Sequence, residues 1–193
     1  MKPRIAIVGK GSVGSALEKG FAASGYEVRM AGRDIAAARD AATWADAVIV
    51  ATPYAATDDV LRALDDAVNG KLLVDATNPL TPDFRLAIGF TTSAAEEMAK
   101  KAPRARVVKA FNTVFAPNMS TGKVKGEKLT LLVAGDDAAA KKAVLTMGAD
   151  IGFDPVDAGP LTNARWLEAV AYLNVQLGYM LKMGTDIGIR VVH

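Results

Sequence analysis

This 193-residue sequence predicts an α/β fold, doubly wound about a mostly parallel sheet and closed by a C-terminal helical cap. Three observations carry that reading. Short apolar runs rich in Val, Ile and Leu recur along the chain, helical patterns fill the spaces between them, and a glycine-rich turn joins the first run to the first helical pattern. Such alternation marks strands that pair in parallel and are covered by helices on both faces.

The first strand is expected at Arg4 to Val8, leading through the glycines into a helix from Val13 to Ala23 that Ser12 can cap. Glu27 to Met30 gives the second strand and Asp34 to Ala42 the second helix, with Asp34 as cap. The alanines of that helix are strong helix formers, not low complexity. Ala47 to Val50 is the third strand, Ala55 to Asp66 a helix and Lys71 to Val74 the fourth strand. The stretch Thr77 to Thr92, with Pro79, Pro82 and Gly89, is the one long irregular segment, and long loops in compact domains are often functional. Then follow a helix at Ala94 to Lys100, strands at Arg106 to Ala110 and Leu129 to Ala134, a helix at Asp137 to Met147 capped by Asp136, and a weaker strand at Phe153 to Val156.

The last helix is expected from about Asn163 to Met183, with a broad apolar stripe running from Trp166 and Leu167 to Met180 and Leu181. That stripe suits core or subunit contact. Arg165 and Glu168, three residues apart, can pair on one face. Pro53, Pro79, Pro103, Pro155 and Pro160 all fall outside the periodic runs, where proline costs little. With no repeat and no linker, we expect one domain over 1–193, in which 161–193 forms the C-terminal helix and a pocket-closing tail.

Composition removes several kinds of chemistry. The 23 Lys and Arg against 21 Asp and Glu leave a net charge of +2, without the basic excess of a protein that binds nucleic acid by neutralising phosphates. There is no cysteine, and the single histidine is His193. Thiol nucleophiles, thiolate metal sites and His-based dyads are thereby set aside, and no metal site is expected. No run reaches the roughly 18 to 20 apolar residues of a membrane span. The apolar run at Ile5 to Val8 is too short for a signal peptide, so the expectation is a cytoplasmic protein that borrows its chemistry.

The turn Gly9-Lys10-Gly11-Ser12-Val13-Gly14 names what is borrowed. In a G-x-G-x-x-G between strand and helix, Gly9 permits the tight turn, Gly11 lets backbone approach a pyrophosphate and Gly14 lets the helix pack close. The helix N-terminus then offers free amides to phosphate. The context predicts the dinucleotide site of a Rossmann fold, with an ordinary glycine turn, or a site for a mononucleotide or adenosyl ligand, as the alternatives. Lys10 either approaches a phosphate or contacts only solvent. The second strand ends Met30-Ala31-Gly32-Arg33, an arginine where an NAD site places a carboxylate. Asp34 suits a helix cap better than a ribose contact, so NADP is expected, with Arg33 on the 2′-phosphate.

Ligands of open α/β sheets bind outside the carboxyl ends of the strands. Three further segments lie there: Ala51-Thr52-Pro53, Asp75 through Leu80, and Lys109 through Thr113. Thr52 or Asn78 can bond the nicotinamide ribose, although Asn78 can equally close a local turn. Asp75 before its Pro-containing turn reads as structural more than catalytic. Asn112 offers donor and acceptor groups to a carboxamide or a substrate carbonyl, while Phe111 reads as core.

These segments together resemble the family of coenzyme F420-dependent NADP oxidoreductases. The resemblance rests on the glycine loop, Gly32-Arg33, Thr52-Pro53, Asn78-Pro79-Leu80, Lys109 to Thr113, Asp157-Ala158-Gly159-Pro160-Leu161 with Arg165, and Gly184 to Ile189. It implies that Gly9, Gly11, Ser12, Val13, Gly14, Gly32, Arg33, Thr52, Pro53, Asn78, Pro79 and Ala110 hold NADP. It places the deazaflavin F420, or a flavin, against Asn112, Thr113, Val114, Gly188 and Ile189, with Asn112 as an orienting residue and no certain catalytic residue. Archaeal members resemble this chain with His at the position of Asn112 and Ser at that of Gly32. Ferric-reductase domains of certain membrane oxidoreductases share the fold and a similar Asn-Thr pair. The implied activity is hydride transfer between NADP(H) and a small redox substrate. Dehydrogenation of a small hydroxy acid or imine, and a non-catalytic NADP sensor, are the alternatives. Apart from the resemblance, the apolar stripe makes a homodimer the expected assembly, with no nucleic-acid or membrane partner.

Overall fold

The computed structural model describes residues 2–192, so His193 lies outside them. Its strands are β1 (Ile5–Val8), β2 (Val28–Ala31), β3 (Ala47–Val50), β4 (Leu72–Asp75), β5 (Arg106–Lys109), the short hairpin β6 (Lys123–Val124) and β7 (Glu127–Lys128), β8 (Thr130–Gly135) and β9 (Asp154–Asp157). The helices are α1 (Ser12–Ala23), α2 (Ile35–Trp44), α3 (Thr57–Leu64), α4 (Ala94–Lys101), α5 (Ala116–Met119), α6 (Ala138–Ile151) and α7 (Ala164–Val175), the last running into a π-turn at Gln176–Met180. All seven predicted runs are strands, each shifted by at most one residue. The short α5 and the β6–β7 hairpin carry no periodicity and were not expected.

One sheet takes seven strands in the order β2-β1-β3-β4-β5-β8-β9. Every pairing in it is parallel except β5 with β8, where Val108 faces Gly135 and Lys109 faces Ala134. A parallel return needs a covering crossover. Between β5 and β8 the chain offers only the four-residue α5 and the hairpin, and it comes back antiparallel.

The two-residue period of the strands sorts the core into two layers. Ile5, Ile7, Ile49 and Val74 face one way, against Leu17 and Phe21 of α1, Met119 of α5, and Val144 and Met147 of α6. Ala6, Val8, Val48 and Leu73 face the other, against Ala38 of α2, Leu64 of α3, Met98 of α4 and Ala164 of α7. The doubly wound α/β fold with a C-terminal helical cap is therefore what the chain adopts.

Two expected caps differ. The cap position of α1 is Gly11, and Ser12 is the first helical residue, so no side chain occupies the first-turn amides. For α6 the cap is Asp137, whose Oδ1 accepts from Ala140 N at 2.7 Å, while Asp136 accepts from Leu161 N at 2.9 Å. Asp34 caps α2 as expected, accepting from Ala37 N at 3.1 Å.

Candidate functional site

In the order above, β1 is where the chain switches direction across the sheet, and the crevice at such a point is where α/β folds bind ligands. A cavity of about 1010 Å³ lies there, lined among others by Gly9, Gly11, Gly32, Arg33, Thr52 and Pro53. Its shape comes from the glycines. Gly9 has φ +127°, and a Cβ on it would stand 2.4 Å from the carbonyl oxygen of Ala51. A Cβ on Gly14 would stand 1.9 Å from the oxygen of Gly9. Around Gly11, by contrast, nothing lies within 4 Å of that position. The first two glycines answer to the fold, whereas the space over Gly11 is open to whatever approaches the loop. With the α1 amides uncapped, that approach leads onto a positive helix end.

Arg33 is exposed at the mouth of this crevice, and the alkyl stem of Lys10 lies over Gly32, 3.5 Å from where a Cβ would be. Two cations thus stand at the end of β2. The carboxylates nearby are engaged: Asp34 caps α2, and Asp59 pairs with Arg62.

Beyond β3 the same edge changes character. Lys109, with no exposed side-chain surface, places Nζ 2.9 Å from Asp75 and 2.8 Å from Glu168 of α7, and donates to the carbonyl of Thr77 at 2.8 Å. Burial alone would push this ammonium down, but the two carboxylates outweigh it and hold Lys109 above its ordinary value. Burial likewise pushes Glu168 up, offset in part by Lys109. The other oxygen of Asp75 accepts from Thr77 N at 2.8 Å, which makes this residue structural. Glu168 also accepts from Ala94 N at 3.1 Å, at the start of α4. The predicted Arg165–Glu168 pairing is therefore absent. Arg165 instead makes a two-point contact with Glu96, at 2.9 and 2.6 Å.

Asn78 makes no turn with its own side chain. Its Nδ2 donates to the carbonyl of Asn112 at 3.1 Å, and Asn112 Nδ2 donates to Asn78 Oδ1 at 3.2 Å and to Leu167 O at 3.0 Å. Pro79, Ala110, Phe111, Thr113 and Val114 are buried around this junction. Asn174 of α7 donates to Thr113 O at 2.8 Å. Among the described residues, four buried side-chain oxygens have no partner within the chain: those of Thr52, Thr57, Thr77 and Asn112. All four follow the carboxyl end of β3, β4 or β5.

The tail is held at the start of β8, which overshoots the end of β5. Thr130 N donates to Ile189 O at 3.0 Å, and Asn118 Nδ2 donates to Thr185 O at 2.9 Å and Ile187 O at 3.2 Å. Gly188 lies against Leu129, where a Cβ would stand 2.4 Å from Cδ2. Crevice, junction and tail are thus three separate groups along the carboxyl edge of the sheet, and the crevice lining does not include Asn78, Pro79, Ala110 or Asn112. Ser12 and Val13 stand at the loop–helix joint, with Ser12 exposed.

Sequence reasoning passed over Lys109, Asn118 and Asn174. A lysine inside the apolar run Arg106 to Ala110 was the available signal for the first, since a buried charge needs a partner. The two asparagines left none. Among the described residues no helix is long and apolar enough to cross a membrane, and no three Asp, Glu or His side chains cluster as a metal site would need.

A doubly wound sheet with a glycine loop at its switch point defines a dinucleotide-binding protein of the Rossmann type. Residues 31–79 match the family model described as NADP oxidoreductase, coenzyme F420-dependent. The chain is 30% identical over 162 residues to the F420-dependent NADP reductase of Methanocaldococcus jannaschii, covering 80% of this chain and 71% of that one. A solved structure from Arthrobacter sp. FB24, assigned as an F420-dependent NADP reductase, superposes with a TM-score of 0.90 at 29% identity, over 99% of this chain and 100% of that one. The chain is also 31% identical over 181 residues to the metalloreductase STEAP3 of Rattus norvegicus, covering 87% of this chain but spanning only 36% of that longer protein. The chain belongs to the F420-dependent NADP reductases, a family of NADP-linked oxidoreductases.

Proposed function

We propose that this chain binds NADP(H) along the carboxyl edge of its sheet and exchanges hydride between the nicotinamide and a deazaflavin of the F420 type or a flavin. The observation that carries the reading is the arginine-marked crevice, with Arg33 at the end of β2 and the neighbouring carboxylate of Asp34 engaged as a helix cap. In this reading Gly9, Gly11, Ser12, Val13 and Gly14 receive the pyrophosphate on free backbone amides. Gly32, Arg33 and Lys10 take the 2′-phosphate, and Thr52, Pro53, Asn78, Pro79 and Ala110 run beneath the nicotinamide half. Asn112, Thr113, Val114, Gly188 and Ile189 border the second ring, with residues 161–193 acting as cap and tail of a single domain.

Bound NADPH supplies the hydride. The chain's residues supply orientation and dryness, and well-oriented reactants gain on the order of 7 to 11 kcal/mol from proximity alone. An acid–base residue at the reacting carbon is not required, in keeping with a chain whose only histidine is His193. The exposed apolar face of α7 and its extension, with Trp166, Leu173, Met180 and Leu181, is assigned to a homodimer contact. A cytoplasmic setting goes with this reading.

Arg33→Ala tests it. NADPH affinity should fall roughly 10- to 100-fold, as for a lost charged hydrogen bond, while NADH affinity stays unchanged. Equal losses for both nucleotides would remove the phosphate clamp. Stopped-flow mixing of the NADPH-loaded protein with deazaflavin, and separately with flavin mononucleotide, identifies the acceptor. Turnover with neither would leave a binding module.

A further inference from the structure

The hydrogen bonds at the β4–β5 junction leave Asn112 a single role. Asn78 Nδ2 donates to the backbone carbonyl of Asn112, which turns Asn78 Oδ1 toward the Asn112 side chain. Leu167 presents a backbone carbonyl from the other side. Both neighbours are acceptors, so the Asn112 amide nitrogen faces them and both of its hydrogens are used. A flipped amide would set oxygen against oxygen at Leu167. What remains is Oδ1, buried and without a partner in the chain. The three other unpartnered oxygens are threonine hydroxyls, which can rotate to donate or accept. Asn112 Oδ1 can only accept.

From this we infer that Asn112 is a specificity-determining residue that reads an amide N–H of the bound redox pair and rejects an analogue that lacks this donor. The inference rests on the NADP reading above and narrows it. Two groups carry the required donor: the carboxamide NH₂ of nicotinamide and the ring imide N–H of a deazaflavin or flavin. Because Asn112 is buried between the β4 turn and α7, binding at Oδ1 requires these two segments to part when the ligand binds. An analogue without the donor then leaves a buried acceptor unpaired.

The experiment measures the binding of 2′,5′-ADP, thionicotinamide-NADP and 3-acetylpyridine-NADP to the full chain. It also measures the single-turnover rate from NADPH to a deazaflavin with and without a methyl group on the imide nitrogen. The thio analogue keeps the NH₂, whereas the acetyl analogue keeps the carbonyl and replaces NH₂ by methyl. If the carboxamide is the donor, the acetyl analogue binds roughly 5- to 150-fold more weakly than the thio analogue. If the imide is the donor, the penalty appears with the methylated deazaflavin instead. In either case Asn112→Leu abolishes the discrimination and leaves 2′,5′-ADP binding intact. Asn112→Ser, which makes room for water at Leu167 O, does the same should the leucine variant not fold. Equal behaviour of all analogues in the wild-type protein overturns the inference, as does discrimination that survives both substitutions. Failure of 2′,5′-ADP to bind would overturn the NADP reading itself.

Discussion

Over β2, β1 and β3 the carboxyl edge of the sheet is made of backbone: a glycine loop, uncapped helix amides, and two exposed cations at the rim. Over β4 and β5 the same edge is made of buried side chains, with Lys109 between Asp75 and Glu168, Asn78 against Asn112, and α7 fastened on top. The first half is open and local in sequence. The second is closed and drawn from segments as far apart as residues 75 and 168. In a hydride-transferring reading this is a division of labour: the open half grips phosphates that are charged and well hydrated, and the closed half holds rings that react best without water.

Lys109→Met gives the largest effect expected of any single change. Methionine keeps an unbranched chain of similar length but strands the Asp75 and Glu168 carboxylates in the core. Breaking a buried ion pair on one side costs about 3–5 kcal/mol, and urea unfolding should show a loss of that order. Adding Glu168→Gln to this variant should restore part of it by removing one of the stranded charges. A loss below about 1 kcal/mol, the range of a solvated pair, would mean that the closed half is wetter than its geometry implies.

The open half should break in a different way, through two neighbouring glycines. At Gly14 a methyl group meets the backbone oxygen of Gly9 at 1.9 Å, so Gly14→Ala should cost about 1–3 kcal/mol as overpacking, and weaken NADPH as the loop shifts. At Gly11 a methyl group meets nothing in the chain. Gly11→Ala should stay within about 1 kcal/mol of wild-type stability, the range of a changed cap residue, yet lose NADPH affinity. Thermal unfolding and fluorescence titration of both variants separate the two roles. Parallel losses in stability and affinity at Gly11 would show that the loop serves the fold alone.

The contrast between the halves also governs what could be read from sequence. Strands, the cap at Asp34 and the crevice residues Gly9, Gly11, Gly32 and Arg33 lie within a few residues of the signals that announce them. Periodicity and glycine spacing are local, and so is the open half. The Arg165–Glu168 pairing failed because helical spacing says which side chains can meet, not which stronger partner waits elsewhere. Glu96 and Lys109 were those partners. Asp136 and Asp137 are adjacent and chemically equal, and only the position of Leu161 decides between them. Asn118 and Asn174 hold backbone carbonyls from segments 61 to 69 residues away, which no local pattern records.

The smallest effect belongs to the opposite edge of the sheet and serves as the control for the comparison. There Arg4 donates to Asp46 from its backbone N at 2.9 Å and from its guanidinium at 2.9 and 3.2 Å. These bonds hold the Asp46 carboxyl down to about 2. A carboxyl that is more acidic folded than unfolded contributes stability above its ordinary range, near pH 4, and loses that contribution as pH falls toward 2. Asp46→Asn should therefore be slightly less stable than wild type at neutral pH, and the gap should close on acidification through that window. Because the Asp46 side chain is about half exposed, solvent screening keeps the gap small. The preference for NADPH over NADH, set at the other edge, should not change. A shift in that preference would mean that general loosening of the sheet reaches the crevice, and the Arg33 and Gly11 results would then need the same correction.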